Sequence, residues 1–143
     1  MPEENTFLLS LKVTLHCLIG CSIGELAGLM IGIQLHLSIT FTILIAVILA
    51  YLVGFSFAAY ALKNKGSINL VQSFKIIWFG EFVSISIMEV VMNLVDYHMG
   101  GMNVASIFAS TFWIAFIYAF VAGYFATLPI NYIMIRLNKK ACH

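Results

Sequence analysis

Between Phe7 and Ile33 the chain reads FLLSLKVTLHCLIGCSIGELAGLMIGI. A run of about 20 apolar residues is enough to cross a bilayer as one helix, and this run exceeds that. Yet it carries His16, Cys17, Cys21 and Glu25, groups that are costly in hydrocarbon unless they bond to something. At about 100° per residue, Cys17, Cys21 and Glu25 fall within an arc of roughly 80° on one helix face. Gly20, Gly24, Gly28 and Gly32 repeat every fourth position beside them, a ladder that lets a second helix approach closely. The stretch reads as a membrane helix whose polar face looks into a helix bundle.

Composition agrees. Of 143 residues, 62% are hydrophobic and 9% charged, and the mean hydropathy is +1.03. Soluble domains carry about 25% charged residues, so a water-soluble fold would lack the surface to dissolve. The net charge of +1 gives no case for nucleic-acid binding. Glu3 and Glu4 precede the first span with no small-residue cleavage site, so that span is expected to stay as a helix. Without a Pro- or Ser-rich linker, one domain is expected. Cys17 and Cys21 are one helical turn apart, about 5–6 Å between Cβ atoms, whereas a disulfide needs roughly 3.5–4.5 Å. Reduced thiols follow.

Three further spans complete an all-α, integral-membrane four-helix bundle: about 7–33, 37–62, 71–96 and 104–135. The connections are short, so consecutive helices should be antiparallel neighbours. Lys63 and Lys65 lie in the second loop and Arg136, Lys139 and Lys140 in the carboxyl tail, while the first and third loops have none. By the positive-inside rule both termini are expected in the cytoplasm, with Lys12 and Lys75 snorkelling to that interface. A multi-pass protein of the cell membrane is expected, in contact with lipid and with further copies or a membrane-complex partner.

The third span carries Glu81, Ser84, Met88, Glu89, Met92, Asn93 and Asp96. On a helical wheel they take one side, opposite Phe82, Val83, Ile87 and Val90. Each ionised residue at mid-bilayer costs at least ~2.5–3.5 kcal/mol, so Glu25, Glu81 and Glu89 unpaired would cost about 8–10 kcal/mol together. Counting from the cytoplasmic end places Glu81 level with Cys17 and Glu89 level with Glu25. Pro129 should kink the fourth span or free a carbonyl, with Asn131 placed to satisfy that backbone.

These residue types set the functional expectation. Thiolate, imidazole and thioether together suit Cu(I) better than Mg²⁺ or Ca²⁺. The expected metal ligands are Cys17, Cys21, Glu89, Glu25, Glu81 and His16. Ordered by depth, His98, Met99 and Met102 form an outer mouth, Met88, Met92 and Glu89 a midway station and Cys21, Cys17 and His16 an inner site, with Asn93 a secondary pathway residue that reads more as a hydrogen-bonder between helices than as a ligand. Cys142 and His143 in the tail form an exit toward a cytoplasmic metal carrier. The function expected is binding and translocation of a soft transition-metal ion, with copper as the ion. The alternative is a non-catalytic accessory subunit whose polar stripe faces a partner. Catalysis is not expected: no Ser-His-Asp set, phosphate-cradling loop or zinc-protease motif occurs, and with only His16 inside a span neither heme nor nucleotide is expected.

The motifs have a precedent. His16-Cys17-x-x-Gly20-Cys21-x-x-Gly24-Glu25, Ser84-Ile85-x-x-Met88-Glu89-x-x-x-Asn93, Phe112-Trp113 and Pro129-x-Asn131 follow one another in order. Over nearly the whole chain this resembles the domain-of-unknown-function family 4396, small multi-helix membrane proteins. The resemblance implies a four-helix membrane fold with the first and third spans pairing as the polar core. It implies no activity. The chain departs from the family at Glu81, where an Asp is expected, and at its Asn-Lys-Lys-Ala-Cys-His tail.

Overall fold

The computed structural model describes residues 3–65 and 69–136. The side chains of residues 3–6, 61–65, 70, 73, 74, 76 and 77 are outside that description. The protein is all-α: α1 Glu3–Gln34, α2 Ile39–Lys65, α3 Leu70–His98, the short 3₁₀ turn Gly101–Asn103, and α4 Ser110–Arg136. All four α-helices contain a segment long and apolar enough to cross a bilayer.

The helix ends are set by local chemistry. His36 adopts the left-handed conformation at φ 55°, while Leu37 N–H bonds Gly32 O at 2.9 Å and His36 N–H bonds Ile33 O at 3.1 Å. That pair of bonds is a Schellman motif, which satisfies the last carbonyls of α1. Ser38 then caps α2 by accepting from Phe41 N–H at 3.4 Å. Asn69 opens α3 with a capping box: its side chain accepts from Gln72 N–H at 2.8 Å, and Gln72 Oε1 accepts from Asn69 N–H at 3.4 Å.

The fourth helix starts later than expected. Residues from Val104 read as apolar and hence as span, but α4 begins at Ser110. Gly100 at φ 80° turns the chain, Val104 is extended, and Ser106 accepts from Phe108 N–H at 3.2 Å. Val104 and Ile107 pack against Phe112, Leu29 and Met102. Hydropathy reports burial, and an apolar cap over the end of a bundle buries its residues as well as a helix does.

Helix contacts run in a ring: α1 with α2, α2 with α3, α3 with α4, and α4 back to α1. The first and third helices are therefore diagonal rather than adjacent, and their residues meet side chain to side chain across the core. The glycine ladder of α1 is used against α2. A Cβ at Gly24 would lie 2.3 Å from Leu49 O, and one at Gly28 would lie 2.3 Å from Ala46 Cα. Only hydrogens at these positions, facing the buried Ala46 and Ala50, let the two backbones meet.

Polarity is inverted relative to a soluble bundle. Glu81, Ser84, Met88, Glu89, Met92 and Asp96 of α3 are buried, whereas Phe82 and Val90 are exposed. On α4, Ile117, Val121 and Phe125 likewise face outward. An apolar exterior around a polar interior is the arrangement a bilayer stabilises.

Candidate functional site

The core divides into levels along the bundle axis. At the level nearer the end where α1 begins, Cys17 donates to Glu81, with Sγ 3.2 Å from Oε2 and 3.4 Å from Oε1. This contact joins α1 to α3 across the diagonal. Both residues are buried. The depth register read from the sequence, Glu81 level with Cys17, is what the structure has.

Cys21 lies one turn farther along α1 and is also buried; neither cysteine forms a disulfide. Its thiol occupies room left by Gly54 of α2, where a Cβ would come within 2.8 Å of Sγ. Gly123 of α4 plays the same part for the thioethers. A Cβ there would meet Met92 Sδ at 3.1 Å and Met88 Cγ at 3.4 Å. Cys17, Cys21, Met88 and Met92 all belong to one buried core cluster with Leu18, Ile85 and Ala119. The soft donors read from two separate helices thus line one continuous core, with Met88 and Met92 on the turns that carry Glu89 and Asn93.

A hydrogen-bonded brace holds this level. Asn131 Nδ2 donates to Thr14 Oγ1 at 2.8 Å, and Ser84 Oγ donates to Asn131 Oδ1 at 2.5 Å. One asparagine therefore ties α4 to α1 and α3 beside Cys17 and Glu81. This corrects the expectation that Asn131 satisfies the backbone freed by Pro129. The amide turns inward because three buried polar groups from three helices satisfy one another there.

Glu25, Glu89, Asn93 and Asp96 form the next level. All are at most 9% exposed, and the Glu25 carboxyl lies within the electrostatic reach of Glu89 and Asp96. Asn93 Nδ2 donates to Glu89 O at 2.8 Å and to Glu89 Oε2 at 3.3 Å. Its bond is thus within α3, not between helices. Both Glu25 oxygens, both Asp96 oxygens, Glu89 Oε1 and Asn93 Oδ1 are buried without a hydrogen-bond partner among the described residues. Lys12, Lys75 and Arg136 are all exposed, in the starting halves of α1 and α3 and at the last residue of α4.

Other expected ligands are elsewhere. His16 stacks on Phe57 of α2, ring centroids 4.3 Å apart, and its Nε2 is buried without a partner. His98 and Met99 are exposed at the far end, whereas Met102 is buried against Leu29 and Phe112 in a second core cluster. Cys142 and His143 lie outside the described residues, as do Lys139 and Lys140. Among the described residues no three His, Cys, Asp or Glu side chains converge as a metal-binding group. Sequence reasoning did not single out Thr14, whose role depends on a partner 117 positions away. Nor did it single out the pairing of Tyr51 with Ser86, which closes α2 onto α3. No local signal marks either.

No curated protein and no solved structure matches the chain. A family match extends over residues 8–140 and so takes in all the interior residues described above. The chain belongs to the family described as Domain of unknown function (DUF4396).

Proposed function

We propose that this protein binds a soft transition-metal ion, copper(I) as the favoured cargo, and passes it along the interior of the bundle across the cell membrane. The reading rests on one observation above the others: Cys17 donates to Glu81 across the core, with Cys21 one turn along α1 in the same core cluster. A thiol binds metal as thiolate and releases its proton on doing so. Glu81 already accepts that hydrogen, so it is placed to take the proton as the ion arrives. The exchange adds one positive charge to the site for each ion bound and leaves no new unpaired anion.

Softness favours Cu(I), because two cysteine sulfurs outnumber the single carboxylate at this level, and two thioethers follow deeper in the core. Cys17 supplies the thiolate, its proton passing to Glu81, and Cys21 one turn along the helix offers a second sulfur that keeps its own proton. The lysine and arginine distribution supports a cytoplasmic location for both termini, so the thiol level would be the one nearer the cytoplasm.

Elemental analysis of the detergent-purified protein, expressed in copper-supplemented medium and kept reduced, tests this. Copper close to one per chain is expected in the wild type. It should be lost in Cys17→Ser/Cys21→Ser and reduced in Glu81→Gln. Metal retained in the double variant, or absent from the wild type, would overturn the reading in favour of an accessory subunit of a membrane complex.

A further inference from the structure

At the end of the bundle where α1 begins and α4 ends, Phe7 meets Tyr132 edge-on, ring centroids 6.3 Å apart. Beside these rings lies a cleft of about 260 Å³ between the two helices, lined by Phe7, Leu128, Pro129 and Tyr132. Apart from the Tyr132 hydroxyl, no polar side chain lines it. Phe7 and Pro129 are exposed, and Leu128 and Tyr132 are half-buried, so the cleft opens to the outside of the bundle.

A cation stands next to it. The Arg136 guanidinium lies over the Tyr132 ring, 5.8 Å from its centroid, within the range of a cation–π contact. Arg136 is exposed. Pro129, Tyr132 and Arg136 are spaced i, i+3 and i+7, and so share one face of α4. Four residues of helix put Arg136 about 6 Å beyond Tyr132 toward the helix end. The apolar segment of α1 begins at Phe7 and that of α4 ends at Arg136. The cleft thus occupies the outermost turns of two membrane-crossing segments, with the guanidinium at the boundary where lipid head groups lie.

That fixed cation separates this cleft from a plain lipid-facing surface. An arginine keeps its charge and presents five N–H donors in a planar fork that fits a phosphate bidentately. Sites that enclose a whole small molecule run about 300–1,000 Å³. A smaller apolar cleft takes part of a longer chain instead. The complementary ligand therefore has an apolar chain and, one turn above it, an anionic head. Free phosphate would leave the cleft unfilled, and a zwitterionic lipid brings its own ammonium to compete for its phosphate. We propose that the α1–α4 cleft binds an anionic phospholipid, an acyl chain packed on Phe7, Leu128, Pro129 and Tyr132 and the phosphate held by Arg136. This site uses neither the cysteines nor the interior carboxyls and stands independently of the metal reading.

The test is native mass spectrometry of the full chain in non-ionic detergent, titrated separately with dioleoylphosphatidylglycerol and dioleoylphosphatidylcholine. The first phosphatidylglycerol should bind roughly tenfold to a hundredfold more tightly than the first phosphatidylcholine, the size of one hydrogen bond to a charged group. Arg136→Gln, at an exposed helix end, should remove that preference, and Arg136→Lys, which keeps the charge without the fork, should keep only part of it. Lys75→Gln makes the same charge change on α3, away from the cleft, and should leave the preference intact. Leu128→Trp fills the cleft from α4 and Phe7→Trp from α1; each should weaken phosphatidylglycerol binding with helix content unchanged. Equal binding of the two lipids by the wild type would overturn the proposal. So would a preference that survives Arg136→Gln, one lost equally in Lys75→Gln, or wild-type binding by a folded cleft-filling variant. No metal is present in the titration, so a failure here leaves the copper experiment untouched.

Discussion

Replacing Gly28 by Ala tests whether the contact between α1 and α2 is as close as it stands. A Cβ at Gly28 would lie 2.3 Å from Ala46 Cα and 2.6 Å from Ala46 N. Ordinary van der Waals contact starts at 3.4 Å, so the shortfall is 3.4 − 2.3 = 1.1 Å against main chain. Main chain cannot rotate away, and the helices must separate or shift in register. Overpacking of this kind costs about 1–3 kcal/mol. Gly20→Ala is the internal control. There the Cβ would meet Phe57 Cδ1 at 3.0 Å, a shortfall of 0.4 Å against a side chain. Phe57 Cβ and Cγ follow at 3.1 and 3.2 Å, so a shift of a few tenths of an ångström relieves the contact.

Both substitutions gain the same intrinsic helix propensity, about 1 kcal/mol, so the difference between them isolates the steric term. Gly28→Ala should be less stable than Gly20→Ala by roughly 1–3 kcal/mol. The assay is reversible unfolding in mixed micelles, titrating a denaturing detergent and following helix content by circular dichroism. Equal stability of the two variants would refute the close backbone contact, and with it the account of why four glycines recur at every fourth position.

Two further predictions use the same assay. Asn131→Leu removes the brace and leaves Ser84 and Thr14 without their shared partner, for a loss of about 1–3 kcal/mol; a neutral result would mean the three-helix network contributes nothing to stability. Gly100→Ala forces a side chain into the left-handed region at φ 80° and should cost roughly 1–2 kcal/mol. Gly100→Asn should cost less, because Asn tolerates that conformation; the reverse order would show that the turn is not held at positive φ.

The bundle itself was legible in the chain because a bilayer permits few alternatives. Long apolar runs must be helices there, and a polar stripe inside such a run must face inward. Both rules applied to α3, where Glu81, Ser84, Glu89 and Asp96 are buried with Phe82 and Val90 outside. Depth counting also succeeded for Cys17 and Glu81, since antiparallel helices of known rise fix axial level without any knowledge of neighbours. Lateral order is different. Nothing in the periodicity of α1 distinguishes a neighbouring α3 from a diagonal one, so the glycine face that belongs to α2 could not be assigned. The start of α4 failed for a related reason: Val104 and Ile107 are apolar because they cap the core, and a hydropathy window registers that burial as span. Asn131 was misread because proline kinks make local backbone partners plausible, whereas its real partners come from 47 and 117 positions away.

The two levels of the interior differ in what compensates their charge. Glu81 is bonded to Cys17 beside a brace of satisfied polar groups, so its burial is offset within the chain. Glu25 and Asp96 have no such offset among the described residues, and Glu89 has only the Asn93 amide on one oxygen, although each ionised group at that depth would cost at least ~2.5–3.5 kcal/mol. The difference cannot be made up by packing, because dispersion does not solvate a carboxylate. It must be made up by protons or by a positively charged ligand brought from outside.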